Sequence, residues 1–174
     1  MYFRLLALLL KRILILRPTD PFKASYSKFR VNIFDLDINF HMNNGRYLSI
    51  MDLGRTDLLL KSKMFWNLVI KGYYPVVVSE SIRFRTSLEL FQSFQILTII
   101  ESWDDKDFFI SQKFERKGHI LAEGYIKARF KKRGKKGSIP TSEIFHLLGK
   151  TYERPQISET AKAQNIIEGQ LIKK

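Results

Sequence analysis

Residues 34–47 read Phe34-Asp35-Leu36-Asp37-Ile38-Asn39-Phe40-His41-Met42-Asn43-Asn44-Gly45-Arg46-Tyr47, and the rest of the chain is organised around them. Two carboxylates, Asp35 and Asp37, close a run with the character of a strand. His41 and two consecutive asparagines follow, and then an apolar helix begins. Titratable side chains at a strand-to-helix junction cost free energy if buried without partners, so they need a reason to be there. An active site is one such reason.

The downstream half of the stretch starts the helix. Asn43 or Asn44 suits an N-cap, because a side-chain oxygen there accepts from the first free amides. Tyr47, Ile50, Met51, Gly54 and Leu58 then recur at helical spacing, while Leu48, Leu53, Leu59 and Leu60 populate the remaining surface. A helix apolar nearly all round is a buried one. Gly54 disfavours its middle by roughly 1 kcal/mol against Ala, which points to a close backbone approach. The helix is expected to fade between Ser62 and Trp66.

Upstream, Ser25 to Phe34 alternates as a strand, with Tyr26, Phe29, Val31 and Ile33 as its apolar members. Four longer strands are expected after the helix: Tyr74 to Thr86, Phe94 to Trp103, Phe108 to Arg116 and His119 to Lys132. In the first of these Glu80 falls on the otherwise apolar face. Antiparallel neighbours in sequence order, joined by short turns, are the economical topology. A basic loop, Lys131 to Gly137, leads to Pro140, a short helix over Ser142 to Leu148 and a polar tail to Lys174. One helix cannot cover such a sheet alone, but a sheet curled around it can bury it from most sides. The fold class is α+β.

The first 18 residues form an amphipathic segment ahead of a domain over residues 19–140, with residues 141–174 as helix and tail. A membrane-spanning helix needs roughly 20 mostly apolar residues, and Arg4, Lys11 and Arg12 interrupt this one. It suits a helix lying in a membrane interface, with the basic side chains reaching toward headgroups. Packing on its own domain or in an oligomer is the other reading. Pro18 and Pro21 end it.

Composition narrows the chemistry. The 174 residues carry a net charge of +13 and no cysteine, which excludes disulfides, thiolate metal sites and a cysteine nucleophile. His41, His119 and His146 stand too far apart for a metal-ligand motif, so no dedicated zinc site is expected. The positive charge calls for an anionic partner: nucleic acid, acidic headgroups or a phosphorylated small molecule. No zinc-finger, helix-turn-helix or RNA-recognition signature supports nucleic acid. The cluster from Lys127 to Lys136 suits phosphates or headgroups, or is simply a solvated loop that discourages strand pairing.

The pattern Asp35-x-Asp37-x-x-x-His41-Met42-Asn43-Asn44-x-x-Tyr47 resembles hotdog-fold acyl-CoA thioesterases of the 4-hydroxybenzoyl-CoA thioesterase type. It is most similar to a thioesterase-like branch with membrane-associated members. Pro75-Val76-Val77, Ile82-x-Phe84, Trp103-Asp104-Asp105-Lys106 and Arg133-Gly134 extend the resemblance over roughly Ser25 to Pro140. It implies the hotdog fold, an acyl-CoA substrate, and a site formed between two protomers of a homodimer or higher oligomer. It also implies that Asp37 is the catalytic carboxylate and that the backbone amide near Asn44 polarises the thioester oxygen. Phe40 stands where many members have Gly, so a different turn geometry and pocket width are expected.

The residues agree with that assignment on physical grounds. A helix N-terminus offers free N–H groups and partial positive charge to a developing oxyanion, and a carboxylate in the preceding turn can act as base or nucleophile. Turn capping is the structural alternative for Asp37. Asp35 is assigned to the turn or to a basic neighbour. His41, Asn43, Tyr47 and Glu80 are candidate substrate-binding residues, with capping for Asn43, core packing for Tyr47 and a salt bridge for Glu80 as their structural alternatives. Hydrolysis of an acyl-CoA is therefore the leading function, in the cytoplasm or at a membrane held by the first helix. That reaction calls for no metal or redox cofactor. A non-catalytic protein that binds acyl chains or lipid at a membrane is the alternative.

Overall fold

The computed structural model describes residues 2–13, 19–62, 64–149 and 152–172. Its elements are α1 (Tyr2–Ile13), β1 (Ser25–Arg30), a 3-10 turn (Ile33–Asp35), α2 (Asn44–Lys61), α3 (Met64–Ile70), β2 (Tyr73–Phe84), β3 (Ser93–Trp103), β4 (Asp107–Arg116), β5 (His119–Lys132), α4 (Thr141–Leu148) and α5 (Glu159–Ile172). The five strands form one antiparallel sheet in the order β1-β3-β4-β5-β2. This helix-and-sheet arrangement is the hotdog fold. The chain divides into two compact units, Met1–Phe65 with Ile82–Ile99 and Gln112–Gly124, and Trp66–Ser81 with Ile100–Ser111 and Tyr125–Lys174.

The strand order corrects one expectation. β3, β4 and β5 are successive hairpin neighbours, but β2 lies beside β5 and β1 takes the place beside β3, with Phe29 opposite Phe94. Eight residues, Arg85 to Gln92, separate β2 from β3. They must cross about three strand spacings of ~4.8 Å each, which is within their reach, whereas a hairpin would need only two to five residues. Arg85 and Thr86 donate to the Leu121 carbonyl on the way, at 2.8 and 3.1 Å.

In the first unit, α2 buries Tyr47, Ile50, Met51, Leu53, Gly54, Asp57, Leu58 and Leu60. Phe29, Phe94 and Phe114 stack in the same core, and Tyr47 meets Phe84 edge-on at 5.0 Å. The residues of β1 alternate, with Ser25, Ser27 and Phe29 inward and Tyr26, Lys28 and Arg30 outward. The strand ends at Arg30 rather than running to Phe34, because Asn32 caps the 3-10 turn.

The N-terminal helix packs on its own unit. Arg4 pairs with Asp35, Arg12 pairs with Asp57, and Leu8 is buried, while Phe3, Leu6 and Leu10 face outward. The two arginines therefore point opposite to the orientation expected of an interfacial helix. Among the described residues, no helix is long and apolar enough to cross a membrane.

The second unit has its own aromatic core, in which Trp103 and Phe145 lie 5.0 Å apart and Phe108 meets Phe130 edge-on at 5.7 Å. Thr141 seats α4 by donating its hydroxyl to the Asp104 carbonyl at 2.6 Å. The polar tail carries a further helix, α5, held where Gln164 donates to the Tyr125 carbonyl and Lys127 donates to Asn165. Its composition gave no apolar stripe to announce it, since polar side-chain contacts fix it.

Candidate active site

The junction is built from interlocked backbone bonds. Leu36 and Met42 bridge antiparallel, and between them the chain turns: the Phe40 amide donates to the Asp37 carbonyl at 3.1 Å, and the Asp37 amide donates to the His41 carbonyl at 2.8 Å. Below the turn, the Asn43 amide donates to the Asp35 carbonyl at 2.8 Å and the Met42 amide to the Leu88 carbonyl at 2.7 Å. The base of the loop is thereby fixed from two sides.

Phe40 sits at the apex with φ of 59°. That is the left-handed region a glycine occupies freely and an L side chain enters at a cost of roughly 1–2 kcal/mol. The turn expected to differ thus keeps a glycine-type backbone and carries a phenylalanine on it. The ring is 78% exposed, so packing does not hold it there; the surrounding bonds do.

Asp37 is half-buried and uses one oxygen locally. Its Oδ1 accepts from the Asn39 amide at 2.8 Å and from the His41 amide at 3.4 Å. Among the described residues its Oδ2 has no hydrogen-bond partner. The carboxylate thus orders its own turn and still offers an acceptor.

Six residues on, Asn43 is the N-cap of α2 and Asn44 its first residue. The Asn43 side-chain oxygen accepts from the Gly45 amide at 2.9 Å, and the Asn43 carbonyl accepts from Arg46 at 2.8 Å. The Asn44 amide is one of the orphan donors that every helix start leaves, and it has no partner among the described residues. A free N–H and a free carboxylate oxygen on one fixed turn are the components needed to polarise a carbonyl and to attack it or activate water.

The other candidates divide. The side chain of His41 is exposed and makes no hydrogen bond among the described residues, and its backbone bridges Glu89. Tyr47 is buried in the aromatic core, and its hydroxyl accepts from the Leu88 amide at 3.2 Å. Burial raises its pKa, and the Leu88 N–H only partly offsets this by favouring the phenolate. Glu80 is half-buried on β2 and belongs to the second unit.

Asp35 is 3% exposed. Its side chain accepts from the Asn32 amide at 2.9 Å and from Arg4 at 2.8 and 2.6 Å. Arg4 was not a site candidate from sequence, because nothing in a basic, apolar N-terminal run says which way a guanidinium turns. Four cations of the Lys127–Lys136 cluster are engaged within the second unit. Lys127 and Arg129 pair with Asp107, Lys132 donates to the Tyr73 hydroxyl, and Lys135 pairs with Glu143. Open clefts in the first unit gather other cations: Lys28, Arg30, Arg116 and Lys117 line one of about 600 Å³ with Glu115 as its carboxylate. Among the described residues no three acidic or histidine side chains come together as a metal would require.

The profile of the thioesterase-like superfamily matches residues 31–164, which hold the turn, α2 and the whole sheet beyond β1. The chain belongs to that superfamily. Similar proteins include Protein THEM6 of Xenopus laevis, 32% identical over 72% of this chain and 59% of that one. The long-chain acyl-CoA thioesterase FadM of Escherichia coli is 28% identical over 58% of this chain and 77% of its own. The crystal structure of the E. coli probable thioesterase YbaW superposes with a TM-score of 0.65 at 24% identity, covering 71% of this chain and 95% of the other. The chain spans 59% and 47% of the lengths of the frog and Danio rerio THEM6 relatives that it matches. The turn and α2 lie inside the matched region of the superfamily, and α1 lies outside it.

Proposed function

We propose that this chain hydrolyses acyl-CoA thioesters in the manner of the 4-hydroxybenzoyl type, with Asp37 as the catalytic carboxylate and the Asn44 amide as the oxyanion donor. The observation that carries the reading is the pairing of two unsatisfied groups, Asp37 Oδ2 and the Asn44 N–H, on one rigid turn. Asp37 removes a proton from water as the oxygen adds to the thioester carbonyl. The carbonyl oxygen takes up negative charge facing the helix start, and collapse of the adduct expels the coenzyme A thiolate, which is then protonated. Direct attack by Asp37 gives an acyl-enzyme anhydride that water hydrolyses to the same products. Asn43, Asn44 and Gly45 are exposed at the start of α2, so the donor is open to a substrate, and its field strengthens where the bound substrate excludes water.

The relative named as a long-chain acyl-CoA thioesterase supports an apolar acyl group. So do the exposed Ile38 and Phe40 beside Asp37. β2 is an edge strand that shows Val77 and Val78 to solvent. Unpaired edges invite another chain, which supports a homodimer. Release of free thiol from a panel of acyl-CoAs tests the activity, and full turnover by Asp37→Asn would remove Asp37 from it.

A second reading rests on α1, whose Phe3, Leu6 and Leu10 face outward. We propose membrane contact through this apolar face, from the cytoplasmic side, with or without turnover. Co-sedimentation with neutral and anionic vesicles tests it, and equal recovery in the supernatant with and without vesicles would reject it.

A further inference from the structure

We infer that Arg4 is a positioning residue for the Asp37–Asn44 turn and acts through Asp35. The kinetic consequence rests on the thioesterase reading above; the structural consequence does not.

The linkage is short. The Arg4 guanidinium donates to both oxygens of Asp35, at 2.8 and 2.6 Å, and to the Arg30 carbonyl at 2.5 Å. It thereby clamps the end of β1 and the 3-10 turn together. Asp35 in turn closes the capping box on Asn32, and its carbonyl accepts from the Asn43 amide. Asn43 is the cap whose side chain orders the first turn of α2. One acidic residue therefore separates the N-terminal helix from the helix start. Asp37 lies two residues beyond Asp35 on the same strand of the loop.

The demand for Arg4 comes from burial. A carboxylate that is 3% exposed needs a matched partner, or it must take up a proton or move into water. The planar fork of an arginine satisfies both oxygens at once, and a lysine cannot. Moving Asp35 would shift its carbonyl away from Asn43, and with it the cap that sets the direction of the Asn44 amide.

The same helix supplies its own control. Arg12 makes an equivalent two-bond pair with Asp57, at 2.6 and 3.0 Å. Asp57 sits deep in α2, far along the chain from the cap, and Lys61 and Ser27 also hold it. Both arginines fasten α1 to the domain, and only Arg4 touches the loop. Both also lie outside residues 31–164, so the clamp is an addition to the domain that the superfamily profile describes.

The test compares Arg4→Ala, Arg4→Lys and Arg12→Ala in the full chain, by amide hydrogen exchange, thermal melting and steady-state kinetics with an acyl-CoA. Arg4→Ala is expected to speed exchange at Asn43 and Gly45 beyond any change at core amides of β3 and β4. It is also expected to lower kcat by on the order of 10- to 100-fold with KM within about twofold, as small misplacements of reacting groups do. Arg4→Lys restores neither. Arg12→Ala lowers the melting temperature, leaves kcat unchanged and changes exchange uniformly. Uniform exchange in Arg4→Ala, or restoration by lysine, overturns the inference. Should Arg4→Ala fail to fold, Arg4→Lys against wild type carries the same comparison. If the wild type shows no turnover, the thioesterase reading fails and the exchange measurement alone decides the clamp.

Discussion

Gly54 and Gln112 lie so close that a Cβ built on the glycine would come within 2.9 Å of the Gln112 side-chain nitrogen. The glutamine cannot give way easily. Its amide donates to the Met51 carbonyl at 2.9 Å and to the Thr98 hydroxyl at 2.8 Å, and its oxygen accepts from Arg55 at 3.0 Å. This bonded side chain on β4 sets how closely α2 approaches the sheet.

Gly54→Ala is therefore expected to destabilise, although alanine is the better helix former by about 1 kcal/mol. The same Cβ would also stand 3.1 Å from Ile96 and from Thr98, and overpacking of this kind costs about 1–3 kcal/mol. A net loss of about 1 kcal/mol or more in urea unfolding is predicted. A gain in stability would mean that the sheet yields.

Phe40→Gly should act in the opposite direction. The phenylalanine holds φ of 59° with its ring in solvent. Relief of roughly 1–2 kcal/mol of left-handed strain outweighs the roughly 0.5–1 kcal/mol of extra chain entropy that glycine brings to the unfolded state. The urea midpoint should rise by the equivalent of about 0.5–1 kcal/mol, set by those two terms. If Phe40 also contacts the acyl group, KM for long-chain substrates rises in the same variant.

Arg4 and Phe40 show where sequence reading stops. The cap at Asn43, the buried helix, the close approach at Gly54 and the strand at His119 to Lys132 all follow from local spacing, and the structure has them. The place of β2 beside β5 does not, because two edge-compatible strands look alike until a link is measured against the sheet it must cross. The eight residues from Arg85 to Gln92 held that signal. The inward turn of Arg4 and Arg12 depends on two acidic partners remote in sequence, Asp35 and Asp57. Within the candidate site, the residue types at Asp37 and Asn44 could be read directly. That Asp37 caps its own turn with one oxygen and still keeps the other free among the described residues could not, because sequence alone leaves turn capping and catalysis as alternatives.

Asp57 should govern part of the acid limb of stability. It is fully buried, and burial alone would raise its pKa. Hydrogen bonds from Arg12, Ser27 and Lys61 and the charge of Lys61 outweigh burial and hold the pKa below the ordinary 3.8. A folded-state pKa below the unfolded one contributes stability above pH 3.8, and that contribution is lost as pH falls from there through the folded value. Asp57→Asn should therefore be less stable than wild type near neutrality and show a shallower loss of stability below about pH 4. Arg12→Ala should cost about 3 kcal/mol, the lower end for breaking a buried pair, because Lys61 and Ser27 remain. Chemical unfolding across pH 2 to 7, set by the carboxylate range, measures both.

The helix start permits a substitution that removes one hydrogen while keeping the fold. Asn44 is the first residue of α2, where proline is favoured because the missing N–H has no intrahelical partner to lose. The residue before a proline must be extended, and Asn43 already has φ of −58° and ψ of 137°. Asn44→Pro should therefore fold with a melting temperature close to wild type. If the Asn44 amide holds the thioester oxygen, kcat falls by about 10²–10³-fold, the cost of one oxyanion donor. Asn44→Ala keeps the amide, so it should retain most of the activity. Asp37→Asn should lose on the order of 10²–10⁴-fold through the missing base, with its turn still capped by the side-chain oxygen. Equal activity in the proline and alanine variants would move the oxyanion donor elsewhere on the turn.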